Sequence, residues 1–359
     1  MKAAFPYMGN IALILEPMLR ELGADVVLPP PPTRATLELG TRLAPEMMCI
    51  PFKVTLGNMV KCLEMGADTL IYVSGSWSCR FGYYGRLQAD ILSDLGFRFE
   101  LLQLRHDQLP LIARKIISLC GSFPRALLRT IRMFRLGWYK SIVVEEAERL
   151  AQKTMPYVQR PLECQSLLSK ILREIGQTSE PARLRFLRRS LPDRFSALSR
   201  NGRTRVPRIR LVGESYCVLE PFINFNIIQR LGTMGVLVDP FLTARRWLGF
   251  HGFRLGASDV KRARRASRPY WRYCVGGEDE NSVGQLILAA RTGYDGVIHL
   301  HPFACMPGTV VQPTLAQLSR ELNIPFLSLS LDEHTAEASL VTRLEAFVSL
   351  LEKRQQIRR

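Results

Sequence analysis

Residues 295–308, DGVIHLHPFACMPG, decide how this chain is read: a strand-like apolar run breaks into a turn marked by proline and glycine, and Cys305 sits in that turn. Residues 68–85, DTLIYVSGSWSCRFGYYG, follow the same order and bring in Cys79. Cys49, in PEMMCIPFK at residues 45–53, is placed at the end of a third apolar run. In open α/β sheets, ligands gather beyond the carboxyl ends of strands, so Cys79 and Cys305 lie where that rule puts a site.

Outward from these turns, strands alternate with helical patterns, which argues for βαβ units. In the first part these are helix-like 11–23 and 33–44 around a strand at 24–29, helix-like 53–66, the strand ending near 74, a helix at 84–96 and a strand at 97–104. Residues 111–205 change to amphipathic helices with no clear strand. Pro207 and the arginines of NGRTRVPRIR mark a boundary. A second alternating region follows: strand 208–214, helix 222–235, strand 236–240, helix 282–292, strand 295–302, helix 309–323, strand 324–332 and a terminal helix from about Thr342. The expected fold is α/β, two open parallel-sheet, flavodoxin-like domains joined by a helical connector. The boundaries are 1–110 with Cys49 and Cys79, 111–205 as a basic connector, and 206–359 with Cys305.

At 359 residues the chain exceeds what one core usually organises. Its 47% hydrophobic and 23% charged residues are ordinary for a globular protein, and no apolar stretch reaches membrane-spanning length. The N-terminus meets Pro17 and then charge too early for a secretory signal, so a cytoplasmic location is expected. In a reducing compartment the eight cysteines are read as metal ligands, catalytic groups or packed thiols rather than a disulfide framework. The net charge of +17 is concentrated in runs such as RALLRTIRMFRLGWYK (125–140), ARLRFLRRSLPDRF (182–195) and VKRARRASRPYWR (260–272). Solvated helix faces explain most of it, and the lack of zinc-finger spacing or an RNA-binding aromatic signature argues against nucleic acid.

Thiolates are soft ligands that suit iron–sulfur clusters or zinc. A cubane cluster commonly takes four cysteines, so three from one chain would leave one iron open. Spacing alone leaves both a shared metal site and ordinary buried thiols open for Cys49, Cys79 and Cys305. Zinc is the weaker metal, because no local CxxC pair is present. Cys217, in GESYCVLEPF, is the reserve ligand; Cys62, Cys120, Cys164 and Cys274 are read as packed thiols.

The wording around these cysteines goes further. Residues 22–58 (LGADVVLPPPPTRATLELGTRLAPEMMCIPFKVTLGN), 75–92 (GSWSCRFGYYGRLQADIL), 212–231 (VGESYCVLEPFINFNIIQRL), 276–315 (GGEDENSVGQLILAARTGYDGVIHLHPFACMPGTVVQPTL) and 332–347 (DEHTAEASLVTRLEAF) resemble the 2-hydroxyacyl-CoA dehydratase component family, with its double-cubane-cluster and CoA enzyme activase-like relatives. CRFGYY and HPFACMPG are the most specific pieces. The resemblance implies a [4Fe–4S] cluster held by Cys49, Cys79 and Cys305, reduced by an ATP-dependent activator protein. Relatives then reduce a 2-hydroxyacyl-CoA thioester to a ketyl radical that eliminates its hydroxyl group. It further implies a homologous subunit as homo- or heterodimer, and acyl-CoA as substrate. Two alternatives remain within it: a non-catalytic iron–sulfur electron carrier or scaffold, and a double-cubane [8Fe–9S] small-molecule reductase spanning a dimer. The chain departs from its kin across 111–205 and in GGEDENSVG, where a histidine is expected after the paired glycines. It has no P-loop, GxxxxGK[ST], so the electron-accepting role is preferred over the ATP-using one.

Among the remaining residues, His299 and His301 are read as pointing to opposite sides of the sheet, with His301 near Cys305. Glu214 and Glu220 are read as helix-capping or solvated carboxylates. Asp332, Glu333 and Glu337 are read as a helix start with ion pairing. Gly75, Gly82 and Gly85 are read as permitting tight turns near the cysteines.

Overall fold

The first residues, which carry no recognisable pattern, form a strand at the heart of a sheet. The computed structural model describes residues 1–73, 79–252 and 258–357. Gly75 and its neighbours in GSWS lie outside the described residues. The N-terminal unit runs β1 (Lys2–Ala4), α1 (Ala12–Glu21), β2 (Asp25–Val26), α2 (Arg34–Leu43), α3 (Ile50–Glu64), β3 (Thr69–Val73), α4 (Tyr84–Asp94) and β4 (Glu100–Leu104). Its four strands are parallel in the order β2-β1-β3-β4.

Four helices follow without a strand: α5 (Leu109–Cys120), α6 (Phe123–Thr154), α7 (Pro161–Gln177) and α8 (Pro181–Ser196). The C-terminal unit then runs β5 (Arg208–Gly213), α9 (Ser215–Leu219), α10 (Ile227–Thr233), β6 (Leu237–Pro240), α11 (Ala244–Trp247), α12 (Ser258–Ser267), α13 (Asp279–Arg291), β7 (Gly296–Pro302), α14 (Met306–Glu321), β8 (Phe326–Leu331) and α15 (Glu337–Ile357). Its parallel order, β6-β5-β7-β8, reproduces that of the first sheet. The chain is thus α/β with two flavodoxin-like parallel sheets. Every residue of β7 is buried, as a strand covered by helices on both faces must be.

Two expected helices differ in extent. The helix expected over 222–235 is confined to α10, because Phe225 and Asn226 adopt positive φ angles of 53° and 56° that no α-helix accommodates. The terminal helix starts at Glu337 rather than near Thr342, and Glu337 pairs with Arg230 instead of with its own helix. The apolar core does not stop between the units. One contiguous cluster joins Met8, Ile11, Ile14 and Met18 of the first with Ile209, Leu211, Val238 and Ile298 of the second. The long α6 lies across this seam, with Gly137 against the Met18 side chain of α1.

The α2/α3 crossing, which holds the Cys49 turn, depends on two facing glycines. A β-carbon at Gly40 would fall 1.7 Å from the Lys53 carbonyl oxygen, and one at Gly57 would fall 2.1 Å from that of Thr36. Replacing Gly40 by valine forces two backbones apart, and a loss of roughly 3 kcal/mol is expected in urea unfolding.

A buried carboxyl beside the seam makes stability depend on pH. Glu148 of α6 accepts a hydrogen bond from Asn10 Nδ2 at 2.6 Å, and burial pushes its pKa up to about 7 from an ordinary 4.5. Between those two values the native protein keeps a proton that the unfolded chain releases, so this contribution is full below pH 4.5 and is lost as pH rises through about 7. Burial raises Glu220 in the same sense, also to about 7. The urea midpoint is therefore expected to fall between pH 5 and pH 8, and Glu148→Gln to flatten part of that slope, worth about 3 kcal/mol at most.

Candidate functional site

Each of the three cysteines singled out in the sequence stands immediately before a helix. Cys49 is the N-cap of α3, Cys79 of a short 3₁₀ helix (Arg80–Tyr83) that runs into α4, and Cys305 of α14. Proline occupies the first turn after two of them, as Pro51 and Pro307, where its missing N–H costs nothing. Helix N-termini carry partial positive charge from unpaired amides, an environment that favours an anionic sulfur. Cys79 follows β3 and Cys305 follows β7, which hold the same place in their respective sheets. Cys49 follows α2 and lies in the turn between two helices, as the helix-like segments on either side of it imply.

The three turns are tied together by Arg80, which the sequence reading passed over. Its guanidinium donates to the carbonyl oxygens of Met47, at 3.4 Å, and of Ala304. The side chain following one cysteine thus grips the backbone beside the other two. Lys53, one turn beyond Cys49, pairs with Glu333 after β8, and Arg34 donates to the Glu333 carbonyl oxygen at 2.9 Å. The loops after β1 and β5 also meet: Tyr216 Oη donates to the Tyr7 carbonyl at 2.7 Å, and Gly9 N–H to Glu220 at 2.7 Å. The carboxyl ends of both sheets therefore converge on one crevice. Glu220, read as a capping or solvated group, and Glu333, read as an ion-pairing residue of a helix start, serve as ties between the two units.

The sulfurs share an electrostatic environment. Burial pushes the Cys49 and Cys305 thiols up, and Cys79 to about 11; in all three the Glu214 carboxylate adds to the rise. The amides of Phe81 and Gly308 pull Cys79 and Cys305 back down, and the Tyr84 hydroxyl, hydrogen-bonded to Cys49, does the same there. Glu214 is itself buried and caps α9, accepting from the amides of Tyr216 at 3.1 Å and Cys217 at 2.9 Å. Cys217 is fully buried, and burial raises its thiol, with Glu214, Cys305 and Cys49 contributing. All four sulfurs thus lie within electrostatic reach of one carboxyl group. Gly308 explains how Cys305 fits: a β-carbon there would sit 2.6 Å from His301 Cβ and 3.3 Å from the Cys305 sulfur.

This donor set suits a polynuclear thiolate-bound group better than a single ion. All four cysteines are free of disulfides. The one group of three His, Cys, Asp or Glu ligand atoms within 4.8 Å of one another among the described residues is Cys274, Asp279 and Glu280, so Cys49, Cys79 and Cys305 are spread more widely than one ion requires. A cubane separates its protein thiolates in that way, since each binds a different iron. The Cys274 group itself is committed elsewhere: Asp279 accepts from Trp271 Nε1 and the Val275 amide, and Glu280 pairs with Arg264. Cys62, Cys120 and Cys164 are buried packing residues, as expected of them.

His299 and His301 stack on one another with ring centroids 5.1 Å apart, so the expectation of opposite faces is corrected. Side chains alternate with a period of two, and residues two apart share a face. Burial lowers the pKa of both, that of His299 to about 3, and His301 is tied to Gln312, so the pair is a neutral structural stack. Gly85 likewise is not a turn residue. It lies within α4, where a β-carbon would come within 3.0 Å of Tyr72, and lets the helix settle on β3.

Residues 274–351 match the family model of the 2-hydroxyglutaryl-CoA dehydratase D-component. The matched segment contains β7, the Cys305 turn and most of α15. This supports the dehydratase component family for that part of the chain, and not a particular subtype such as the activase-like one. No curated protein matches the chain. No helix among the described residues is long and apolar enough to cross a membrane.

Because Arg80 bridges turns from both sheets, Arg80→Ala is expected to let the crevice breathe in the metal-free protein. Alkylation of the Cys49 and Cys305 thiols, followed by mass spectrometry, should speed up several-fold with the far-UV spectrum unchanged. Unaltered labelling rates at both thiols would refute the bridging role.

Proposed function

We propose that the chain is an iron–sulfur component of the 2-hydroxyacyl-CoA dehydratase type, with Cys49, Cys79 and Cys305 as the protein ligands of a [4Fe–4S] cluster. The observation that carries this reading is that Cys49 and Cys305, both buried, and half-buried Cys79 each stand at a helix N-terminus in turns that Arg80 ties together. The family match over residues 274–351 includes one of the three. A cluster there would supply a low-potential electron and an iron position free of protein thiolate. In this reading residues 1–110 and 206–359 are the two ligand-bearing domains, and 111–205 is the helical connector.

The chain's own residues define what such a site demands. Uncompensated thiolates are costly at positions where burial raises every thiol, and binding to iron removes that cost by replacing the protons. The helix N-termini and the Arg80 guanidinium offset the negative charge that remains. Tyr84 and the Phe81 and Gly308 amides supply hydrogen bonds to sulfur, which set a cluster's potential. Buried Glu214, whose pKa burial raises, stands beside the thiols. The electron donor is an ATP-dependent activator protein and the substrate class is acyl-CoA, as the resemblance implies, with a cytoplasmic location and a second homologous subunit.

Anaerobic purification with iron and sulfide quantitation of single Cys→Ala variants tests the ligand set. Substitution at Cys49, Cys79 or Cys305 is expected to remove most of the iron, and substitution at Cys217 to leave it. Full iron in all of the first three variants would refute the proposal, while loss only at Cys217 together with two others would move the third ligand to that residue.

A further inference from the structure

The helical hairpin α5–α6 presents a face that the cysteine crevice does not use. Between Leu109 and Val144 the chain carries seven basic residues, Arg114, Lys115, Arg125, Arg129, Arg132, Arg135 and Lys140, and no aspartate or glutamate. Six large apolar side chains on the same hairpin, Leu109, Leu111, Phe123, Leu127, Leu128 and Ile131, are each between 47% and 63% exposed. Phe123, Leu127 and Ile131 are spaced by four residues and so form one stripe along α6. An adjoining face of that helix is already committed to the protein through buried Ala126, Met133 and Gly137. Arg135 is exposed beside the stripe and Arg125 and Arg132 are exposed on the far side of Leu128; none of the three makes an ion pair among the described residues.

The chemistry of this face selects its occupant. Apolar groups of this size exposed together mark an interaction surface rather than a solvated one. A second copy of the chain would bring the same cations opposite one another with no acid to pair them. An acidic protein would need a groove shaped for six protruding side chains. A bilayer bearing anionic headgroups meets both features without a shaped partner, because phosphates take the arginines while the acyl boundary takes Phe123, Leu127 and Ile131. With no membrane-spanning helix among the described residues, the contact would be interfacial. We propose that the α5–α6 hairpin is a peripheral docking face for an anionic phospholipid surface.

The test is cosedimentation of the full chain with phosphatidylcholine vesicles, with and without phosphatidylglycerol, at low and raised salt. Binding is expected only with phosphatidylglycerol and is expected to weaken as salt rises. Two variants, Leu127→Ser with Ile131→Ser and Arg125→Glu with Arg132→Glu, should each lose about tenfold or more in apparent affinity. All four positions are exposed, so the far-UV spectrum and melting temperature should stay unchanged. Three results overturn the proposal: no binding to phosphatidylglycerol vesicles, which leaves the face to a protein; full binding by the serine variant, which leaves charge alone; or a wild-type dimer that the serine variant converts to monomer, which gives the face to a second copy. Vesicle binding and iron content are read separately, so failure of either leaves the other standing.

Discussion

Much near the crevice follows from one constraint: the thiols of Cys49 and Cys305, buried, and of Cys79, half-buried, each sit at the positive end of a helix and within reach of the Glu214 carboxyl group. A thiol in apolar surroundings resists ionisation, and a neighbouring carboxylate makes it resist more. The fold answers with local dipoles and one guanidinium rather than with a shell of charged side chains. The same constraint explains why the ties between the two units gather there. Arg80, Lys53, Tyr216 and Glu220 all cross from one unit to the other within a few residues of a cysteine.

The identical strand order in the two sheets gives this arrangement its economy. In both, a cysteine follows the third strand in the chain, and the first strand ends at a loop that reaches into the other unit. Two units of one topology, with their strand ends facing, bring cysteines toward the crevice from both sides. The exception is Cys49, which enters from the α2–α3 turn, and the close Gly40–Gly57 crossing is what brings that turn within reach.

Much of this was legible in the chain. The buried strands β3 and β7 announce themselves as apolar runs followed by Gly and Pro, and Cys79 and Cys305 come after them in the chain. CIP and CMP, a cysteine followed two residues later by proline, carry the further signal of a helix about to begin. Other features were out of reach for physical reasons. Strand β1 is three residues long and has no alternation to detect. Arg80 is indistinguishable from any surface arginine until the Met47 and Ala304 carbonyls are brought beside it. Glu333 reads as a helix-start residue because its partner, Lys53, lies 280 positions away. The histidine pair was misread through the period of the strand itself, not for want of signal.

That separation along the chain has a temporal side. Contacts spanning more than 200 residues close late in folding, since loop-closure entropy has to be overcome first. Cys49 and Cys79 are synthesised long before Cys305 and Ala304, so Arg80 must wait for the second sheet before it can bridge the turns. The ties that bridge the two units are therefore the last to form, and the crevice is complete only once the C-terminal sheet has arrived.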